Sequence, residues 1–161
     1  MIRRMDPVGT AETVVVDRAA VGRCFGCGQA NEQGLRLIFA RYPDGTIESR
    51  HVAAPHHCGV DTVVHGGIQA TLLDEVMGVA AQLGLDDAAT DAPCVTAEMQ
   101  LAYRRPVPMA DEVVVRARLV EVDGRDLHIE GAIVGADGTL LTTAVSRWRQ
   151  LRDVPSRAGG R

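Results

Sequence analysis

Lysine is absent from the chain: all 17 basic residues are arginine. They are dispersed, and 21 acidic residues outweigh them to give a net charge of −4. Binding to nucleic acid draws on clustered cations that displace counterions. No such block exists, so nucleic acid is excluded as the main partner, and the arginine bias reads as genomic base composition. Aromatic residues are also scarce, with one Trp, two Tyr and two Phe in 161 residues. A core of this size must therefore be mostly aliphatic. No apolar run approaches the ~20 residues needed to span a bilayer. The charged start Met1-Ile2-Arg3-Arg4-Met5-Asp6 leads into no apolar segment, so neither a signal peptide nor a membrane partner is expected. Four cysteines without such a signal fit a reducing, cytoplasmic setting with free thiols.

What is present falls into a simple order. The short run Val14-Val15-Val16 fits a helix turn or an edge strand, and a Gly- and Cys-rich loop, Cys24-Phe25-Gly26-Cys27-Gly28-Gln29-Ala30-Asn31, follows it. Leu35–Arg41 and Thr46–Val52 read as a hairpin turned by Pro43-Asp44-Gly45. Residues 67–83 predict one long helix, because Ile68, Leu72, Val76, Val79 and Leu83 recur at helical spacing without an intervening Pro. Four strands are predicted next, Val95–Tyr103, Glu112–Val122, Leu127–Val134 and Leu140–Leu151, the first with clean alternation. Asp123-Gly124 and Ala136-Asp137-Gly138 supply turns between them. The class is α+β. Residues 1–23 read as an extension, 24–154 as the domain and 155–161 as a frayed tail. A helix apolar around most of its circumference needs cover on more than one side. One curling sheet covers one side, and a second subunit is the economical source of the rest.

Chemistry concentrates at His65-Gly66-Gly67, followed by Asp74-Glu75. Two glycines opening a helix leave its first N–H groups unblocked, a setting that binds anions and developing oxyanions. On a helical wheel Gly67, Ala70, Thr71, Met77, Gly78 and Ala81 fall within about 60° of Asp74. An acid on such a small-residue stripe costs stability unless it is paired or used. Asp74 is thus preferred over Glu75, which points toward Thr71 and Gln82. Alone, the pattern favours an ordinary solvated pair, with the glycines merely a turn; the whole chain shifts that reading.

Taken with Val95-Thr96-Ala97-Glu98-Met99 and Tyr103-Arg104-Arg105-Pro106-Val107, the His-Gly-Gly and acid pattern resembles the PaaI-like acyl-CoA thioesterases of the hotdog-fold (4-hydroxybenzoyl-CoA thioesterase) superfamily. Cys24-Phe25-Gly26-Cys27-Gly28 with Asn31 and Gly34-Leu35 resembles the opening motif of one branch of them. The resemblance covers about residues 24–150. It implies a hotdog fold, one central helix wrapped by a curved antiparallel sheet, and hydrolysis of an acyl-CoA or acyl-carrier-protein thioester. It further implies that Gly66 polarises the thioester carbonyl while His65 shapes that pocket. Asp74 would be general base or nucleophile, and Thr96 would orient water or substrate. Gly67, Glu75, Arg104 and Arg105 are candidate substrate contacts. Where some relatives carry Asn or Gln before His-Gly-Gly, this chain has His57-Cys58-Gly59.

Spacing adds a constraint of its own. Eight residues separate Gly66 from Asp74, about 12 Å along a helix, whereas catalytic groups must come within about 3 Å of the reacting atoms. One helix cannot bring both to one carbonyl. Two helices from different subunits can, so a homodimer with a shared site is expected, with pairing into a homotetramer open. Cys24-x-x-Cys27, with Cys58 and His56 or His57, invites a zinc reading, but no second Cys-x-x-Cys exists. No metal or organic cofactor is expected, coenzyme A entering only as part of the substrate. A non-catalytic acyl-thioester-binding module and a hotdog dehydratase remain the alternatives, since fold alone does not decide function. His51, His128, Cys94 and Trp148 read as structural.

Overall fold

The computed structural model describes residues 5–14, 22–85 and 93–152. Among the described residues the order is strands β1 (Glu12–Val14), β2 (Phe39–Arg41) and β3 (Ile47–His51), a short 3-10 turn (Pro55–His57), β4 (Cys58–Val60) and β5 (Val63–Val64), helix α1 (Gly66–Leu83), then β6 (Cys94–Tyr103), β7 (Val113–Asp123), β8 (Asp126–Gly135) and β9 (Leu140–Gln150). Seven strands form one antiparallel sheet in the order β1-β2-β3-β7-β8-β9-β6, while β4 and β5 pair separately. This is the α+β arrangement expected of a hotdog fold, one long helix against a large antiparallel sheet.

Turn chemistry explains why the strands break where they do. Gly45, Gly124 and Gly138 take φ values of +81°, +61° and +79°, a backbone region open to glycine at little cost. Each closes one of the three predicted turns. The first hairpin is shorter than predicted. Leu35 and Leu37 are buried but lie outside β2, because their N–H groups bond back to Phe25 and Gly26 of the cysteine loop instead of to a strand.

The helix packs on the sheet through Leu72, Leu73, Val76 and Met77, all fully buried against Ile47, Val115, Leu127, Ile129 and Ile133. Of the predicted stripe, Leu72 and Val76 reach the centre of this core. Ile68, Val79 and Leu83 are only partly buried, because an i, i+4 line drifts about 40° per step around a helix. Gly131 on β8 permits the close approach: a Cβ there would lie 2.8 Å from the Met77 sulfur.

Two expectations change. The first residues are no mere extension, since β1 pairs with β2 at one sheet edge and Met5 packs on Ala132 and Val134. Val15 and Val16 lie outside the described residues, as does the predicted tail. The clean alternation of Val95–Tyr103 does not produce one buried face. A bulge between Thr96 and Glu98 shifts its register, and β6 closes the sheet's other edge. Met99 and Leu101 are half-buried, whereas Val95 and Tyr103 are 41% and 56% exposed.

The packing makes Leu73 a sensitive position. A Leu73→Ala variant should lose about 2–5 kcal/mol of unfolding free energy, the usual cost of emptying a well-packed core site. Urea titration followed by circular dichroism measures it, and a loss under about 1 kcal/mol would contradict this account of the core.

Candidate active site

The helix start is held by several independent contacts. His65 caps α1, its Nδ1 accepting the Gly67 N–H at 2.9 Å, so a ring proton belongs on Nε2. The buried Gln69 side chain donates to the Val64 carbonyl at 2.9 Å and accepts the Thr142 hydroxyl at 2.6 Å. Tyr103 donates its hydroxyl to the Gly66 carbonyl at 3.1 Å. The N–H of Gly66 has no acceptor among the described residues. It faces a cavity of about 550 Å³ shared with His65, Tyr103, Arg104 and Arg105. Donor and cations thus share one hollow, although Arg104 also donates its Nε to the Thr143 hydroxyl at 3.2 Å.

Asp74 lies elsewhere. Its carboxylate accepts the Thr96 hydroxyl at 2.7 Å, and among the described residues no Arg or His pairs with it. It lines a second cavity, of about 660 Å³, with Glu75, Thr96 and the apolar side chains of Val79, Leu83 and Trp148. Both volumes fall within the range of small-molecule sites. Gly78 makes room here, because a Cβ on it would come within 2.7 Å of the Trp148 ring. The indole N–H is satisfied by Ser146 at 2.9 Å, fixing the ring as one wall.

The sequence-predicted groups therefore fall into two sets: His65, Gly66, Arg104 and Arg105 around one cavity, Asp74, Glu75 and Thr96 around the other. Gly67, at the same helix start, is exposed. Met77 and Ala81 leave the small-residue stripe, since both are fully buried, so the accessible stripe is narrower than the wheel suggests. Glu75 lines the same cavity as Gln82, toward which the helical wheel turned it, and also accepts the Cys24 thiol at 3.2 Å. Cys94 and Trp148, read as plain packing residues, line the Asp74 cavity. The sequence assigns no role to Tyr103, although it opens a motif of the resemblance, or to Gln69, because a tyrosine closing a strand and a glutamine inside a helix carry no signal until the fold joins them to Gly66 and Thr142.

Two clusters have shifted ionisation. Burial pushes the Cys27 thiol up, and the neighbouring Glu75 charge pushes it further, so this thiol is protonated in the ion-free chain. His51 and His57 stack at 5.5 Å before the His-Gly-Gly turn, where the His57 carbonyl accepts the His65 N–H at 2.9 Å. Burial lowers both imidazoles below their ordinary 6.5, and the neighbouring His57 and His56 respectively lower them further.

Comparison with known proteins gives a consistent set of relatives. A family model described as the thioesterase superfamily matches residues 61–142, just over half of the chain. Mouse acyl-coenzyme A thioesterase THEM4 is 30% identical over 125 residues, 74% of this chain and 51% of that protein. The bovine THEM4 is 29% identical over 129 residues, 78% of this chain and 49% of that one. The chain thus spans about half the length of the curated relatives it matches. Among solved structures, a phenylacetic acid degradation-related protein from Ralstonia eutropha JMP134 superposes with a TM-score of 0.63 at 25% identity, covering 84% of this chain and 92% of the other. The BH2602 protein from Bacillus halodurans, solved with CoA, gives 0.58 at 28% identity, covering 65% and 66%.

The histidine pair generates a pH prediction. In the unfolded chain both residues take up protons near the ordinary value of 6.5. In the folded chain they do so only at lower pH. Their contribution to stability is therefore complete above about pH 6.5 and is lost as pH falls through the depressed values. Unfolding free energy should drop as pH falls below about 6.5, and His51→Leu should remove part of that drop. An equal slope in the variant would show that His51 does not carry it.

Proposed function

Because the chain belongs to the thioesterase superfamily, we propose that it hydrolyses an acyl-CoA, or acyl-carrier-protein, thioester in the cytoplasm, in a site shared by two subunits and without a metal in the reaction. The observation that carries this reading is the division of one incomplete site between two cavities on one helix. The Gly66 N–H is an unpaired donor suited to a carbonyl oxygen. The Asp74 carboxylate is the acid suited to activating water or attacking the carbonyl, and the Thr96 hydroxyl orients it. They are eight residues apart on an unbroken helix, about 12 Å. Each cavity holds what the other lacks.

A partner is also what β6 calls for. It is a ten-residue edge strand with one unpaired side and mostly exposed residues, the kind of edge that pairs with another chain unless protected. Two copies joined along β6 and the accessible stripe of α1 would bring Gly66 of one to Asp74 of the other. The acyl group would enter the apolar cavity walled by Val79, Leu83 and Trp148. Arg104 and Arg105, beside Gly66, would meet the phosphates of coenzyme A. His65 holds the helix start in register for its donor.

A hydrolysis screen across short, long and aromatic acyl-CoA esters tests the activity itself. Turnover of at least one class is expected, while tight binding without turnover would favour an acyl-thioester-binding module. The shared site has a sharper test. Gly66→Val should fold, because the nearest atoms to a Cβ at Gly66 are those of Tyr103, at 3.4 Å, an ordinary contact distance. It should lose about 10²–10³ in kcat, the usual cost of an oxyanion donor. Asp74→Ala should be equally impaired. Subunit exchange between the two inactive homodimers, verified by tagged co-purification, should return roughly a quarter of wild-type activity, since half the dimers are mixed and each has one intact site. With exchange demonstrated, no regained activity would mean that both groups serve from one chain.

A further inference from the structure

We propose that Cys24, Cys27 and Glu75 form a binding site for a zinc-type divalent cation that ties the cysteine loop to α1. The ligand atoms of these three side chains all lie within 4.8 Å of one another. Zinc bound tetrahedrally at about 2.3 Å from sulfur and 2.0–2.2 Å from oxygen spaces its ligand atoms roughly 3.5–3.8 Å apart. The trio thus needs a shift of only about an ångström to close on an ion. Sequence reasoning counted cysteines and histidines and found too few, since Cys58, His56 and His57 do not join the group. The missing partner is a helix glutamate that spacing cannot reveal.

The loop is shaped for this role before any ion arrives. The Gly28 N–H closes the Cys-x-x-Cys turn onto the Cys24 carbonyl at 3.0 Å. Leu35 and Leu37 donate to Phe25 and Gly26 at 2.8 and 2.9 Å, pinning the turn from outside. Two glycines are sterically required. A Cβ on Gly28 would lie 2.5 Å from the Cys24 carbonyl oxygen, and one on Gly26 would lie 1.9 Å from the Cγ of Glu75. Gly26 is bare because the Glu75 side chain fills that space. Glu75 itself, half-buried, has no cationic partner among the described residues, and its carboxylate is met by the Cys24 thiol.

Two thiolates and a carboxylate are a donor set that suits zinc over magnesium or calcium, which take oxygen ligands. Binding displaces the thiol protons to solvent and leaves three protein ligands, with the fourth position open to water on the cavity side. Asp74, one residue before Glu75, is not a ligand. The role is structural, and the inference stands whether or not the catalytic reading holds.

Elemental analysis of the full chain purified from zinc-supplemented culture should find about one zinc per chain. Chelation should lower Tm and zinc should restore it. Cobalt titrated into the reduced, metal-free protein should give a thiolate-to-metal charge-transfer band. Cys24→Ser and Cys27→Ser should lose that band. Glu75→Gln, which keeps the shape and a hydrogen bond to Cys24 and so preserves the fold, should weaken binding at least about tenfold. Cys58→Ser should bind normally. No cobalt band in reduced wild-type protein would overturn the site. So would binding that survives in Cys24→Ser and Cys27→Ser, or that depends on Cys58.

Discussion

A helix advances about 1.5 Å per residue, and that rise governs how this molecule can work. The unpaired Gly66 N–H stands at the first turn of α1 and Asp74 stands two turns on. Neither can bend toward the other without breaking the i→i−4 ladder between them, and the intervening Leu72 and Leu73 are locked in the core. The sheet beneath adds to the rigidity, because Gly131 lets β8 meet Met77 at close range. Any chemistry that uses both groups must therefore be completed from outside the protomer. Rigidity here holds the two groups at that separation.

The first half-site depends on a small polar network with little redundancy. Gln69 is buried and spends its carbonyl on Thr142 and its amide on Val64. Losing it would strand a hydroxyl and a carbonyl in an apolar setting, which costs more than the bonds themselves contribute. His65 uses Nδ1 to satisfy Gly67, one of the helix's orphan donors, and the Gly66 donor keeps no acceptor among the described residues. The His57 carbonyl in turn fixes the His65 backbone. The histidine pair preceding the turn is thus mechanically linked to the start of α1.

Much of this was legible in the sequence, for identifiable reasons. The helix announced itself because Leu72 and Val76 repeat without a proline. Gly45, Gly124 and Gly138 marked turns because few other residues accept their φ values. The separation of Gly66 from Asp74 followed from arithmetic alone. What stayed hidden depends on contacts between distant segments. Tyr103 gained its meaning when β6 brought its hydroxyl to Gly66. Trp148 looked like packing until Gly78 left it room against α1 as a cavity wall. The alternation of Val95–Tyr103 misled because a bulge and an edge position, neither written in periodicity, set its exposure.

The two adjacent acids show how the environment separates like groups. Asp74 and Glu75 differ by about 100° around the helix, which turns one toward a hydroxyl and the other toward two thiols. A hydroxyl donor orients the Asp74 carboxylate at the cavity it lines. The second carboxylate lies beside the Cys24 and Cys27 thiols, the three ligand atoms within 4.8 Å of one another. Glu75 also fills the space above Gly26, so it clamps loop to helix. That clamp braces the turn of α1 carrying Asp74, whose own side chain has only Thr96 to steady it. One acid is thus held by loop contacts and the other by a single hydroxyl.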